Sequence, residues 1–257
     1  RLDWSSQAEF PDTEWSVILT AAAPDGGLPA EASEKLCRMY LAPIYAYFRV
    51  TLGITTPDAQ DLALEFAMRL GALSRNLRAR DNPRKARFRD FLRACARNYA
   101  LQVREHATAQ RRGGQQVFIS FENNAEWLVE DVASPTPTDA DLAFDREWAA
   151  TLVSRSQEMV ADACRRNGET LYWDTYRPFL VAPLSDGQHA ILAHRLGISP
   201  DASKKRLERL RRQFRTQLRS LVARTLRDPA DLDDELRHLV RVWVAYQGQT
   251  GRAQPDS

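Results

Sequence analysis

Asp58, Asp61 and Glu65 recur at three- and four-residue steps in ITTPDAQDLALEFAMRL, and Arg69 continues the row one turn later. Carboxylates stacked on one helix face are the side chains that acid/base work or metal ligation would use. No His, Cys or further acidic partner stands at ligand spacing beside them, so the row fits an exposed or partner-binding face. His106, His189, His194 and His238 are scattered, and the five-residue step from His189 to His194 does not align two ligands on one helix face. No catalytic residue, metal or cofactor is expected, and the chain is not read as an enzyme.

The other side chains with chemistry to offer are cations. Lys204, Lys205, Arg206, Arg209, Arg211, Arg212 and Arg215 crowd KKRLERLRRQFR, opposed there by Glu208 alone. Arginine reads guanine O6 and N7 through two hydrogen bonds, and phosphate contacts position a protein without specifying sequence. On that chemistry Lys204, Lys205, Arg206 and Arg209 would face a major groove, while Arg211, Arg212 and Arg215 would hold phosphates. A second basic run, RFRDFLRACARNYALQVREHATAQRR, interleaves Phe88, Phe91 and Tyr99 with Arg87, Arg89, Arg93, Arg97 and Arg104. Rings among arginines suit unpaired bases, which stack while cations follow the backbone. The competing reading is that the rings are core; Phe91 is the one expected to be exposed.

These residues need helices to place them. Ser199 before Pro200 is a helix start: a hydroxyl cap, then a proline whose missing N–H costs nothing there. Leu207, Leu210, Phe214, Leu218 and Leu221 follow at helical steps and mark the buried face. Gly197 suits the end of a preceding helix, which Ser185 and Gln188 open with a capping box. Two helices joined by a short capped turn make a helix-turn-helix, whose second helix enters the major groove. Upstream, Thr56 is expected to cap the acidic helix, and Pro57 to take its first position. Leu36, Met39, Tyr40, Pro43, Ile44, Tyr47 and Phe48 predict a helix over 31–52 that Pro43 should kink or divide. Short helices are expected at 13–22 and 170–180, a turn at 81–86, and a capped helix in DPADLDDELRHLVRVW that serves as packing.

Charge divides the chain more than its net value of +2 implies. The span 75–112 is strongly basic, whereas Ser120 to Trp148 carries only Arg146 as a base among its acids. Two basic blocks separated by an acidic stretch point to two polyanion-facing surfaces and a connector. Trp127 and Leu128 are apolar anchors in that connector. The expected architecture is all-α: a helical bundle over 1–114, an acidic linker at 115–138, a helix-turn-helix domain over 139–226, and a C-terminal helix and tail at 227–257. Three widely spaced cysteines, no apolar leader and no long apolar run fit a reduced, cytoplasmic protein without membrane insertion.

In its order of motifs the chain resembles a bacterial RNA polymerase sigma factor of the sigma-70 family, extracytoplasmic-function class. It is similar to a planctomycete-like subgroup that opens with a motif like FPDTEWSVIL and closes with one like DPADLDDELRHL. PDAQDLALEFAMRL resembles the region 2 helix that binds the clamp of the polymerase largest subunit. That likeness implies polymerase contacts at Asp58, Asp61, Leu62, Glu65, Phe66 and Arg69. ARFRDFLRACARNYAL resembles the part of region 2 that opens and reads the minus-10 element. It implies strand contacts at Arg87, Phe88, Phe91, Arg93, Arg97, Asn98 and Arg104, with the 81–86 turn capturing flipped bases. LAHRLGISPDASKKRLERLRRQFR resembles region 4, which reads the minus-35 element, and implies DNA contacts at Ser199, Lys204, Lys205, Arg206, Arg209, Arg211, Arg212 and Arg215.

The resemblance further implies core polymerase and promoter DNA as partners, an anti-sigma factor as a possible one, and a monomer when free. Ala63 and Leu64 stand where polar residues are usual, Ile191 where an acid is common, and Ser203 where a valine packs inward. The alternatives are a helix-turn-helix regulator that never joins polymerase, a nuclease using the acids of 58–65 or 122–131, and a sigma-like protein without promoter activity.

Overall fold

Apolar residues at helical steps form helices wherever the computed structural model describes the chain, which is over residues 30–78, 87–111, 137–181, 184–226 and 228–250. The protein is all-α, with no strand among the described residues. In chain order the helices are α1 (Ala30–Leu52), α2 (Thr56–Arg78), α3 (Phe88–Arg111), α4 (Asp139–Arg166), α5 (Thr170–Tyr176), α6 (Asp186–Leu196), α7 (Pro200–Arg224) and α8 (Leu232–Thr250). Short 3-10 turns cover Arg177–Phe179 and Pro229–Asp231. The helix expected at 13–22, the 81–86 turn, Trp127 and Leu128, and the chain beyond 250 lie outside the described residues.

The chain separates into two compact units, Arg1–Ala149 with Ala223–Ser257, and Ala150–Val222. The division differs from the boundaries read in the sequence. Residues 139–149 and 223–226, expected in the second domain, belong to the first unit, as does α8. The physical reasons are specific: Asp141 and Asp145 of α4 pair with arginines of α3, and the Phe88 amide donates to the Thr225 carbonyl.

The first unit is built on rings. Tyr40, Phe48, Phe66, Phe88 and Tyr99 are fully buried. The Phe48 ring stands edge-on to Phe66, with centroids 5.7 Å apart, and both lie 5.6 Å from Tyr99. Leu36, Met39, Ile44 and Tyr47 complete the α1 face as its spacing predicts. Pro43 does not divide α1, which runs through it as one helix. The proline ring is itself buried on the packed face. The cap of α2 is Thr55 rather than Thr56: its hydroxyl bonds the Asp58 carboxylate at 2.6 Å and faces the Asp58 amide at 3.5 Å.

In the second unit Leu207, Leu210, Phe214 and Leu218 of α7 are buried, and Val222 rather than Leu221 ends the stripe. Ser185 and Gln188 form the expected capping box at the start of α6. Gly197 closes that helix at φ 64°. The Ile198 amide reaches the Ala193 carbonyl and the Gly197 amide that of His194, the bond pair of a Schellman ending. Ser199 then caps α7, accepting from the Ala202 amide at 3.2 Å.

Candidate nucleic-acid interface

On α7 the cations fall into two groups. Lys204 pairs with Asp186 at 2.8 Å. Arg206 lies 3.6 Å over the Tyr172 ring and bonds Glu169 at 3.0 Å, and Arg209 bonds the same carboxylate oxygen. Those bonds and charges, Arg209 first, hold the Glu169 carboxyl below its ordinary value despite partial burial. Arg211 donates to the Phe179 carbonyl at 2.9 Å. Lys205, Arg212 and Arg215 are exposed and make no ion pair with a described residue. Lys205, Glu208, Arg209, Arg212 and Gln213 line one shallow recess along the outer face. The open cationic row is therefore Lys205, Arg212 and Arg215, flanked by Arg209. Arg206 is 27% exposed and stacked on Tyr172, less open than Arg209.

Behind that face sits a buried polar chain. The Tyr176 hydroxyl donates to Ser203 Oγ at 2.7 Å, and Ser203 Oγ lies 3.0 Å from His189 Nδ1. Since Tyr176 fills one site on the serine oxygen, the Ser203 proton is available to His189, which fits a neutral imidazole. Burial, then the Lys204 charge, holds the His189 pKa below its ordinary value. The chain ties α5, α6 and α7 together. Replacing Ser203 by Ala leaves two buried polar atoms without their partner and should cost about 1–3 kcal/mol. Chemical denaturation of the two proteins measures it. Because the unfolded His189 takes up a proton that the folded form refuses, wild-type stability falls as pH drops below the ordinary histidine value of 6.5.

The arginines at the start of α3 are held in internal ion pairs. Arg89 is buried, donating from Nε to Glu235 of α8 at 2.6 Å and from Nη1 toward Asp145 of α4 at 3.4 Å. Arg87 pairs with Glu235 at 3.0 Å, and Arg93 with Asp90 at 2.5 Å and Asp145 at 3.3 Å. Arg97 lies 3.8 Å from Asp141, and Arg104 donates to the Thr51 carbonyl. His238 reaches Asp145 at 2.9 Å. Burial alone would raise the Asp145 carboxyl; the His238 bond and the charges of Arg89 and Arg93 outweigh it and keep it below its ordinary value. Asn98 is half-buried on the same helix.

The rings of α3 do not stand where the sequence placed them. Phe91 is buried, not exposed, and Phe88 is fully enclosed against Tyr40, 5.0 Å between centroids. Neither ring offers a face for a stacked base. The rings lie inside because 88, 91, 92, 95, 96 and 99 share one face of the helix, and the helix carries no other stripe to pack with.

On α2 the polymerase-facing set also divides. Phe66 is fully buried among rings and cannot meet a partner. Leu62 and Glu65 are half-buried, Asp58 and Asp61 exposed, and the Arg69 side chain lies outside the described residues. Two residues not assigned a contact, Leu64 and Met68, are exposed, Met68 at 78%. With Asp58 and Asp61 they make a stripe that passes from acidic to apolar along the helix.

No protein-family model matches the chain, and no curated protein or solved structure gives a significant match. No described helix is long and apolar enough to cross a membrane.

Proposed function

We propose that the chain is a sigma factor: it binds core RNA polymerase in the cytoplasm and directs promoter recognition and melting, without catalysis or cofactor of its own. The α6–α7 pair supports the DNA half of this reading. Its Schellman turn and serine cap start a helix whose outward cations Lys205, Arg212 and Arg215 make no ion pair among the described residues. What carries the reading beyond a DNA binder is the α2 stripe. Asp58, Asp61, Leu64 and Met68 face solvent on one helix, and apolar surface rimmed by charge is the usual make-up of a protein contact.

The test is co-purification with core polymerase. Replacing Asp61, Leu64 and Met68 together by Lys, Ser and Ser should reduce capture at least tenfold while leaving duplex binding unchanged. Capture equal to wild type would refute the assignment of α2. A second reading, a helix-turn-helix regulator that does not join polymerase, is favoured by one observation: the arginines of α3 are already paired with Asp141, Asp145 and Glu235. It expects no capture by polymerase from either protein.

A further inference from the structure

Glu169 lies outside the helix-turn-helix, yet two arginines of α7 converge on it. Its place is set by the backbone. Gly168 ends α4 at φ 68°, with its amide on the Arg165 carbonyl and the Glu169 amide on that of Cys164. This is a second Schellman ending, and the next residue is the first of α5. One carboxylate oxygen, Oε1, then accepts from Arg206 Nη1 and Arg209 Nη2. The two arginines are treated differently. Arg206 is stacked on Tyr172 and only about a quarter exposed, at 27%, whereas Arg209 is 44% exposed. Arg209 lines the outer recess with Lys205, Glu208 and Arg212.

A guanidinium carries five donors in a rigid plane. Spending one on Glu169 leaves Arg209 the others, on a group whose position is now restrained. Bidentate readout of guanine needs such restraint, because a freely rotating arginine loses most of its conformational freedom on binding. We infer that Glu169 is a positioning residue that fixes Arg209 for base readout, and that Arg206 is the second arm of the same clamp, not a reader. The inference rests on the proposed placement of α7 in the major groove.

The test uses the full chain, with and without bacterial core RNA polymerase, on a randomised duplex library. Sequencing the bound fraction gives the discrimination at each base pair for wild type, Glu169→Ala, Glu169→Gln, Arg209→Ala and the Glu169→Ala/Arg209→Ala pair. Wild type should prefer guanine at one position. Arg209→Ala and Glu169→Ala should each reduce that preference about tenfold at the same position, with the double variant no worse than Arg209→Ala alone. Glu169→Gln keeps an acceptor oxygen and should recover part of the preference, an outcome that a general loss of fold would not give. If Glu169→Ala instead tightens binding equally to every sequence, Glu169 is only a competing anion, and the positioning role is refuted while α7 remains the reader. If wild type selects no duplex in either condition, the placement of α7 itself fails and the role falls with it.

Discussion

Replacing Glu235 by Ala should lower stability by about 3–5 kcal/mol, the cost of leaving a buried charge without its partner. Glu235 is fully buried and takes both Arg87 and Arg89, the latter through its 2.6 Å bond. Arg89 cannot shed its proton to escape, since the surrounding carboxylates hold its pKa above an already high value despite burial. The companion experiment separates the pair from its pieces. A double variant, Arg89→Met with Glu235→Leu, removes both charges and adds apolar volume, so it should be less destabilised than either single variant. Thermal or urea unfolding of wild type, Arg89→Met, Glu235→Leu and the double variant measures this. A Glu235→Ala protein as stable as wild type would mean that α8 does not pack where it is placed. Acid is an independent probe of the same network. Asp145 has a depressed folded pKa, so its contribution is complete above the ordinary value of 3.8 and is lost as pH falls through the lower folded value.

The second large effect concerns DNA. Lys205, Arg212 and Arg215 are exposed and without ion pairs among the described residues, so changing all three to Ala should leave stability nearly unchanged. If each meets a phosphate, the slope of log affinity against log salt should shrink by roughly 2.7, at about 0.9 per contact. The loss of affinity between 50 and 200 mM salt would then be about forty-fold smaller in the variant than in wild type. Titration of a labelled duplex at four salt concentrations gives both slopes. Equal slopes would remove this row from the DNA interface. The same change made at Arg87, Arg93 and Arg97 should affect the slope little, because those cations already have carboxylate partners.

Helix periodicity made the elements readable. The stripe 36, 39, 40, 44, 47, 48 predicts the buried face of α1 residue by residue, and the serine, proline and glycine around α7 predict its start and the turn before it. What periodicity could not give is which partner a charged residue meets. Arg89 shares its register with Leu92, Ala96 and Ala100, Asp145 with Trp148 and Leu152, and Glu235 with Leu239. Each is a charge on a core-facing position, a signal present in the sequence whose meaning depends on three helices distant in the chain. Asp141 and Asp145 read as part of the second domain for the same reason: their partners on α3, Arg89, Arg93 and Arg97, lie about fifty positions upstream.

The candidate site shows the same limit. Ser203 stands out as polar on an apolar stripe, but Tyr176 and His189, which satisfy it, carry no local mark. Arg206 and Arg209 are equivalent by composition and share Glu169; only the Tyr172 ring under Arg206 and the greater exposure of Arg209 distinguish them. On α2, Phe66 has the spacing of a contact residue and the size of a core one; the neighbouring rings decide the matter.

Run-off transcription with core RNA polymerase on a genomic promoter library decides whether the chain starts transcription. Discrete transcripts should require the added chain, disappear with the Asp61/Leu64/Met68 variant, and weaken with the Lys205/Arg212/Arg215 variant. A chain that binds duplex DNA in a salt-dependent way but starts no transcript from any promoter would contradict the sigma-factor reading and leave the regulator in its place.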